Sequence, residues 1–194
     1  MSRPLAKSAG AYHTLFHIDE GMSNMIFNQH TRILPGSLSK IGGYLDDFGS
    51  PSDAIWPRQG WPRARLEGAL AVGTRGRHGP IRYVVEQYTP GRAVKFRFTG
   101  PRGFVGHHDF LVEAVDGEHT RLTHTIQMRA SGWAYFQWHL AIRALHDALL
   151  EDLLDRASLA CGENRETPYS LYVRLLKWGM ARTPRGAFGA APVV

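Results

Sequence analysis

The sequence predicts an α+β domain in which antiparallel strands lead into one long amphipathic helix. Two patterns predict it. Between Ile81 and Arg129 apolar and polar residues alternate over four segments separated by turn signals, the period of half-buried strands. From about Gly132 to Cys161 the period lengthens to three and four, placing Tyr135, Trp138, Ile142, His146, Leu149, Leu153, Ala157 and Ala160 on one helical stripe. A third observation sets the scale: 194 residues with 43% hydrophobic content can build one packed core, and no linker or charge asymmetry divides the chain.

The N-terminal third carries the weaker signals. Residues 1–10 are expected to be flexible, and the domain is expected to run over 11–162. Ala11 to Ile18 alternates like a strand, with Tyr12, Thr14, Phe16 and Ile18 on one side, and Asp19-Glu20-Gly21 ends it. Ser23 reads as the cap of a short helix to Leu34 closed by Pro35-Gly36, and Ser37 to Phe48 as a second helix weakened by Gly42-Gly43. Trp56-Pro57 and Trp61-Pro62 bracket an irregular connection whose tryptophans close the end of a core. Leu66 to Thr74 reads as a strand before the turn Gly76-Arg77-His78-Gly79-Pro80.

The central strands are clearer. Ile81 to Tyr88 and Ala93 to Thr99 flank the turn Thr89-Pro90-Gly91-Arg92 and form a hairpin. Its register puts Tyr83 and Val85 on one face with Val94, Phe96 and Phe98, while Arg82, Glu86, Lys95 and Arg97 form a charged ladder on the other. A slip of one residue would turn Arg82 and Glu86 inward. In Gly106 to Val115 the inward set is His108, Phe110, Val112 and Ala114, and His107 faces out. After Asp116-Gly117-Glu118, the strand from His119 to Arg129 sends Thr120, Leu122, His124, Ile126 and Met128 inward. The loop Gly100 to Gly106 reads as a flexible hairpin connection at a pocket mouth.

On the long helix, Asp147, Glu151 and Asp155 lie four apart on the side opposite the apolar stripe, His139 and Arg143 border it, and Gly162 supplies a C-cap. An extension over 163–182 follows. Thr167-Pro168 starts a helix with Tyr169, Tyr172, Val173, Leu176 and Met180 on one face and Arg174 and Lys177 on the other. That face can pack on its own domain, on a second copy as a homodimer, or on a membrane surface, and Trp133, Phe136 and Leu140 are natural partners for it. Residues 183–194 are expected to be disordered.

Composition excludes several classes. The net charge of +6 comes from scattered arginines, without the basic-aromatic interleaving of a nucleic-acid surface, so no nucleic acid is expected. No 18-residue apolar run or signal-peptide stretch occurs, which places the protein in the cytoplasm. Cys161 is single and reads as an inert thiol at a helix end. No nucleophile elbow accompanies Asp109, Ser131 and His139, and the loop Gly100 to Gly106 lacks a Walker lysine.

Strand, helical segment, antiparallel strands and long C-terminal helix is the order of a helix grip. From Trp56 to about Cys161 the chain resembles the START-like or SRPBCC superfamily, which includes birch-pollen-allergen-like proteins and polyketide cyclases, and most of all its bacterial branch without assigned activity. The resemblance is carried by His78-Gly79-Pro80-Ile81-Arg82-Tyr83, by Tyr88-Thr89-Pro90-Gly91-Arg92 leading to Phe96-Arg97-Phe98, and by Leu145-His146-Asp147-Ala148-Leu149. It implies a bent sheet gripping the helix around a space for an apolar or amphipathic ligand. It transfers no catalytic residue.

The inward sets define the expected ligand-binding residues: Tyr83, Val85, Phe96, Phe98, Phe110, Leu122, Ile126, Met128, Trp138, Ile142 and Leu149, with His108, His124 and His146 as polar anchors. Two readings stay open. The pocket binds a small hydrophobic or amphipathic molecule without turnover, or the three histidines act as general acid and base in a cyclase- or dehydratase-like lyase. The histidines come from separate elements with no short ligand motif, so neither a metal nor another cofactor is expected.

Overall fold

The computed structural model describes residues 24–182. The strand expected over Ala11–Ile18, the flexibility expected of residues 1–10 and the disorder expected of residues 183–194 lie outside them.

Seven antiparallel strands form one sheet: β1 (Met25–Pro35), β2 (Arg65–Leu66), β3 (Arg75–His78), β4 (Ile81–Thr89), β5 (Ala93–Gly100), β6 (Phe104–Ala114) and β7 (His119–Ala130). Their order across the sheet is β1-β7-β6-β5-β4-β3-β2, so the first strand closes onto the last. Helix α1 (Leu38–Asp46) follows β1. A continuous helical rod then runs as α2 (Trp133–Gln137), a π-helical turn (Trp138–Ile142) and α3 (Arg143–Ala160), and α4 (Leu171–Arg182) comes last. Gly162, with φ near +95°, ends the rod in the left-handed conformation open to glycine. The sheet grips the rod, as expected. Among the described residues no helix is long and apolar enough to cross a membrane.

Two expectations for the N-terminal part of the chain fail. Of the helix expected over Ser23 to Leu34, the described part instead forms β1 from Met25 onward, paired along its whole length with β7 from Met25↔Arg129 to Pro35↔His119. Sheet pairing overrides a local pattern that showed neither period, because polar residues occupy both of its faces. Leu66 to Thr74 is not one strand: β2 ends at Leu66, and β3 begins at Arg75 and runs through Gly76, Arg77 and His78 of the supposed glycine turn. Gly76 sits there because a Cβ would meet the Tyr83 ring at 2.3 Å.

The β4–β5 hairpin has the expected faces. Tyr83 opposes Phe98 and Val85 opposes Phe96, with an irregularity between Val85 and Gln87 that absorbs Glu86. Glu86 points outward, within 3.7 Å of Lys95 and 3.5 Å of Arg97. The arginines are less scattered than the linear sequence suggests, since Arg65, Arg77 and Arg82 stand in direct cross-strand register on β2, β3 and β4.

The core fills the concave side. Leu34, Ile41, Leu45, Phe48, Ile55, Trp56 and Trp61 pack with the inner faces of β4 to β7 and with Leu149, Leu150, Leu153 and Leu154 of α3. Both tryptophans close the core end. Buried Asp53 shapes the connection before them by accepting the backbone N–H groups of Gly49, Ile55 and Trp56. The Gly100 to Gly103 connection is a tight turn, and Phe104 enters a second apolar cluster with Phe98, Ile126, Met128 and Trp138.

Helix α4 packs on its own domain through Val173 and Met180, and Tyr169 just before it joins the same core. It begins at Leu171, later than expected, since Thr167 N–H is committed to Asp155 Oδ2 at 2.6 Å. Lys177 turns inward rather than to solvent, with Nζ 3.6 Å from the Trp61 ring centroid. Trp133, Phe136 and Leu140 are not covered by α4 and remain exposed, although Tyr172 Oη donates to the Leu140 carbonyl.

Candidate functional site

Between the sheet and the rod lies a cavity of about 30 Å³, room for a water molecule but far below the roughly 300 Å³ at which small-molecule pockets begin. Phe98, Phe110, Ile126, Trp138, Ile142 and Leu149 supply apolar wall from the expected set, and His108, His124 and His146 line it too. Tyr83, Val85, Phe96, Leu122 and Met128 point inward yet pack behind this wall. The wall also includes Phe48, Trp56, His78, Ile81, Phe104 and Leu150. Alternation along β4 to β7 could not reveal those from the α1 side, whereas His78 stood inside a supposed turn.

The histidines form a file across the core. His78 on β3 and His108 on β6 have ring centroids 6.4 Å apart. His108 Nδ1 lies 3.3 Å from His124 Nε2 on β7. His124 and His146 of α3 are 5.1 Å apart, and His146 and His30 of β1 are 6.0 Å apart, by ring centroids. Pairing explains part of the file, because His30 and His124 are direct cross-strand partners and therefore share the inner face. Phe96 and Phe98 both stack on His108, at 4.9 and 5.0 Å.

Burial controls the protonation of this file. It drives His78 down to about 3, assisted by His146, and it holds His108 and His124 well below the ordinary imidazole value together with neighbouring rings. His146 is lowered by burial as well, against an opposing pull from Asp147. These imidazoles are neutral at neutral pH, each with one N–H and one lone pair. Four of their nitrogen atoms are buried without a hydrogen-bond partner in the protein: His78 Nδ1, His108 Nε2, His124 Nδ1 and His146 Nδ1. Unmet polar atoms of this kind cost stability unless something else meets them.

The outer end of the file is charged. His30 Nδ1 lies 2.8 Å from Glu151 Oε1, and its Nε2 lies 3.1 Å from Asp147 Oδ1. Burial lowers the His30 pKa, but the two carboxylates outweigh it and the net shift is upward. Asp147 moves down: burial opposes this, and the nearby His146 ring with the hydrogen bonds from His30 and Asn28 prevails. Arg32 bridges Glu151 and Asp155, both at 2.8 Å. Asp147, Glu151 and Asp155 therefore do not face solvent on the back of the helix, as the sequence suggested, but meet a polar inner face of β1 built from Asn28, His30 and Arg32. His139 and Arg143 are exposed at the rim.

The sequence matches no protein-family model and no curated protein. Solved structures do match in fold. A Thermobifida fusca protein solved by NMR superposes with a TM-score of 0.56 at 12% identity, over 73% of this chain and 99% of its own. A norcoclaurine synthase point mutant from Thalictrum flavum, in complex with a transition-state analogue, gives 0.54 at 11% identity, over 70% of this chain and 95% of its own. A START superfamily protein from Mycobacterium smegmatis gives 0.50 at 12% identity, over 72% and 97%. The architecture is the START-like helix grip.

Proposed function

We propose that this chain binds a small, mostly apolar molecule bearing hydrogen-bonding groups in the space between the sheet and the helical rod. One observation carries the reading: four buried imidazole nitrogen atoms without protein partners belong to residues that line an otherwise aromatic and aliphatic cavity. A purely structural core would replace such groups by leucine or phenylalanine. The norcoclaurine synthase was solved in complex with a transition-state analogue, which supports a guest in the same fold.

A guest larger than water requires the cavity to open. The π-helical turn at Trp138–Ile142 supports a gate there, since such turns recur at functional sites and this one carries the cavity residues Trp138 and Ile142. Exposed Trp133, Phe136 and Leu140 flank it. The affinity then includes the cost of opening, and association is slower than diffusion allows.

The file of imidazoles favours a second reading, a cyclase- or dehydratase-like lyase in which His124 or His146 moves a proton at the guest. The exposed Leu171, Leu175 and Trp178 of α4, beside Arg174, favour a third, association with a membrane surface or a second copy.

Native mass spectrometry of the freshly purified chain, with an anilinonaphthalene sulfonate titration, tests the proposal. A co-purified organic adduct, or saturable 1:1 binding of the dye that is lost in His124→Leu, is expected. No adduct and no saturable binding would overturn it. Turnover lost in folded His146→Ala or His124→Ala supports the lyase, and association lost on truncation after Glu166 supports the third reading.

A further inference from the structure

We propose that His30 Nε2, His146 Nδ1 and Asp147 Oδ1 form a binding site for one divalent transition-metal ion of the zinc class. The potential ligand atoms of these three residues all lie within 4.8 Å of one another. Asp147 Oδ1 is 3.1 Å from His30 Nε2 and 3.8 Å from His146 Nδ1. A tetrahedral zinc ion with bonds of about 2.0–2.1 Å holds its ligand atoms roughly 3.3 Å apart. The two separations from Asp147 straddle that value, so small side-chain shifts bring them to it.

The surroundings are those a metal ligand set needs. Glu151 Oε1 lies 2.8 Å from His30 Nδ1, and Arg32 Nη2 holds the other Glu151 oxygen at 2.8 Å. With the Nδ1 proton given to Glu151, the His30 Nε2 lone pair turns toward Asp147 and His146. This carboxylate support behind a ligating imidazole fixes both its tautomer and its orientation. Asn28 Nδ2 donates to Asp147 Oδ1 at 2.9 Å and fixes that carboxylate.

A second observation points to a ligand independently of this clustering. His146 Nδ1 is buried and has no hydrogen-bond partner, since Asp147 at 3.8 Å is beyond reach. A neutral imidazole that keeps an idle lone pair beside a carboxylate and a second imidazole is a preformed acceptor for a cation. The charge balance agrees, because Asp147, Glu151 and Asp155 face Arg32 and, at 3.8 Å from Asp147 Oδ2, Arg143. On binding, the ion takes the place of the proton that His30 Nε2 shares with Asp147, which is released to solvent. Three protein ligands leave one position open, and His146 also lines the cavity, so a guest there can reach the ion. The set differs from the three inward histidines weighed in the sequence and shares only His146 with them.

The full chain is titrated with Co²⁺, read by the visible bands of four-coordinate cobalt, and with Zn²⁺ in competition with a chromophoric chelator. One equivalent bound with micromolar affinity or better is expected. Asp147→Asn and His146→Gln should each weaken binding by about 100-fold, and Glu151→Gln by about 10-fold or more. His119→Ala, at the exposed pair with Asp116, should leave it unchanged. Circular dichroism and thermal melts establish that each variant folds. Failure of the wild-type chain to bind a stoichiometric ion overturns the proposal whatever the variants do. So does binding that survives undiminished in both folded ligand variants.

Discussion

Arg32 Nη1 lies 2.8 Å from Asp155 Oδ1, and this pair ties the edge strand β1 to the last long helix. Both side chains are largely buried, at 14% and 10% exposure, and Asp155 also takes the Thr167 N–H. One carboxylate thus fixes strand, rod and the approach to α4. Asp155→Ala should cost about 2 kcal/mol at pH 7, since it removes one of the two carboxylates that hold the Arg32 guanidinium and leaves the Thr167 N–H unmet. Burial would raise the Asp155 pKa, but the bonds from Arg32 and Thr167 hold it below the usual carboxylate range. A depressed folded value means the stabilisation is full above the unfolded pKa of about 4 and is lost as pH falls through the folded value. Urea midpoints of wild type and variant should therefore differ at pH 7 and converge in acid; parallel curves would refute this account.

The paired glycines of α1 make opposite predictions. A Cβ on Gly42 would lie 2.3 Å from the Gly91 carbonyl oxygen, whereas one on Gly43 meets nothing within 4 Å. The close approach lets Asp46 Oδ1 accept both Gly91 N–H, at 2.7 Å, and Tyr88 Oη, at 2.8 Å. Gly42→Ala should destabilise by about 1–3 kcal/mol through backbone displacement, and Gly43→Ala should stabilise by about 0.5–1 kcal/mol through helix propensity. Chemical denaturation of the two single variants checks both signs.

His78 should make the fold acid-sensitive. Burial, with a further push from His146, lowers it to about 3, while the unfolded chain protonates near 6.5. The unfolded state therefore binds an extra proton between those values. The sign follows: stability is full above about pH 6.5 and declines as pH falls, by up to about 1.4 kcal/mol per unit for this group. In His78→Phe that contribution disappears, and the slope of stability against pH between 4 and 6 should be shallower than in wild type. An unchanged slope would mean that His78 reaches solvent when protonated.

The sheet-and-rod architecture was legible because β4 to β7 and the long helix bury clean apolar faces. The inner faces of β6 and β7 placed His108 and His124 correctly for the same reason. His30 escaped because β1 alternates Asn28, His30 and Arg32 against Gln29 and Thr31, with no apolar contrast to mark a period. Its inner face is legible only from its partner, the acidic row of Asp147, Glu151 and Asp155, which spacing alone assigns to solvent. Long-range pairing of polar strand with polar helix face leaves no local signature. Gly42 illustrates the same limit: a close approach to Gly91 is invisible in a pattern where glycine reads only as a weak helix former.

The His108–His124 contact offers the sharpest distinction between a structural and a functional role for the cavity. The rings share one hydrogen bond at 3.3 Å, and each keeps one buried nitrogen without a partner. His124→Leu alone removes the shared bond and leaves His108 Nδ1 unmet as well, at a cost of about 1–3 kcal/mol. Replacing both by leucine removes every unmet atom of the pair. The double variant should therefore regain most of the lost stability, with a favourable coupling between the sites in a double-mutant cycle. If these imidazoles are retained for a guest, that variant melts at or above the wild-type temperature yet no longer binds the dye or the co-purified molecule. A double variant less stable than either single one would show instead that the histidines serve the core itself through bonds to internal water, and binding would have to be sought elsewhere on the molecule.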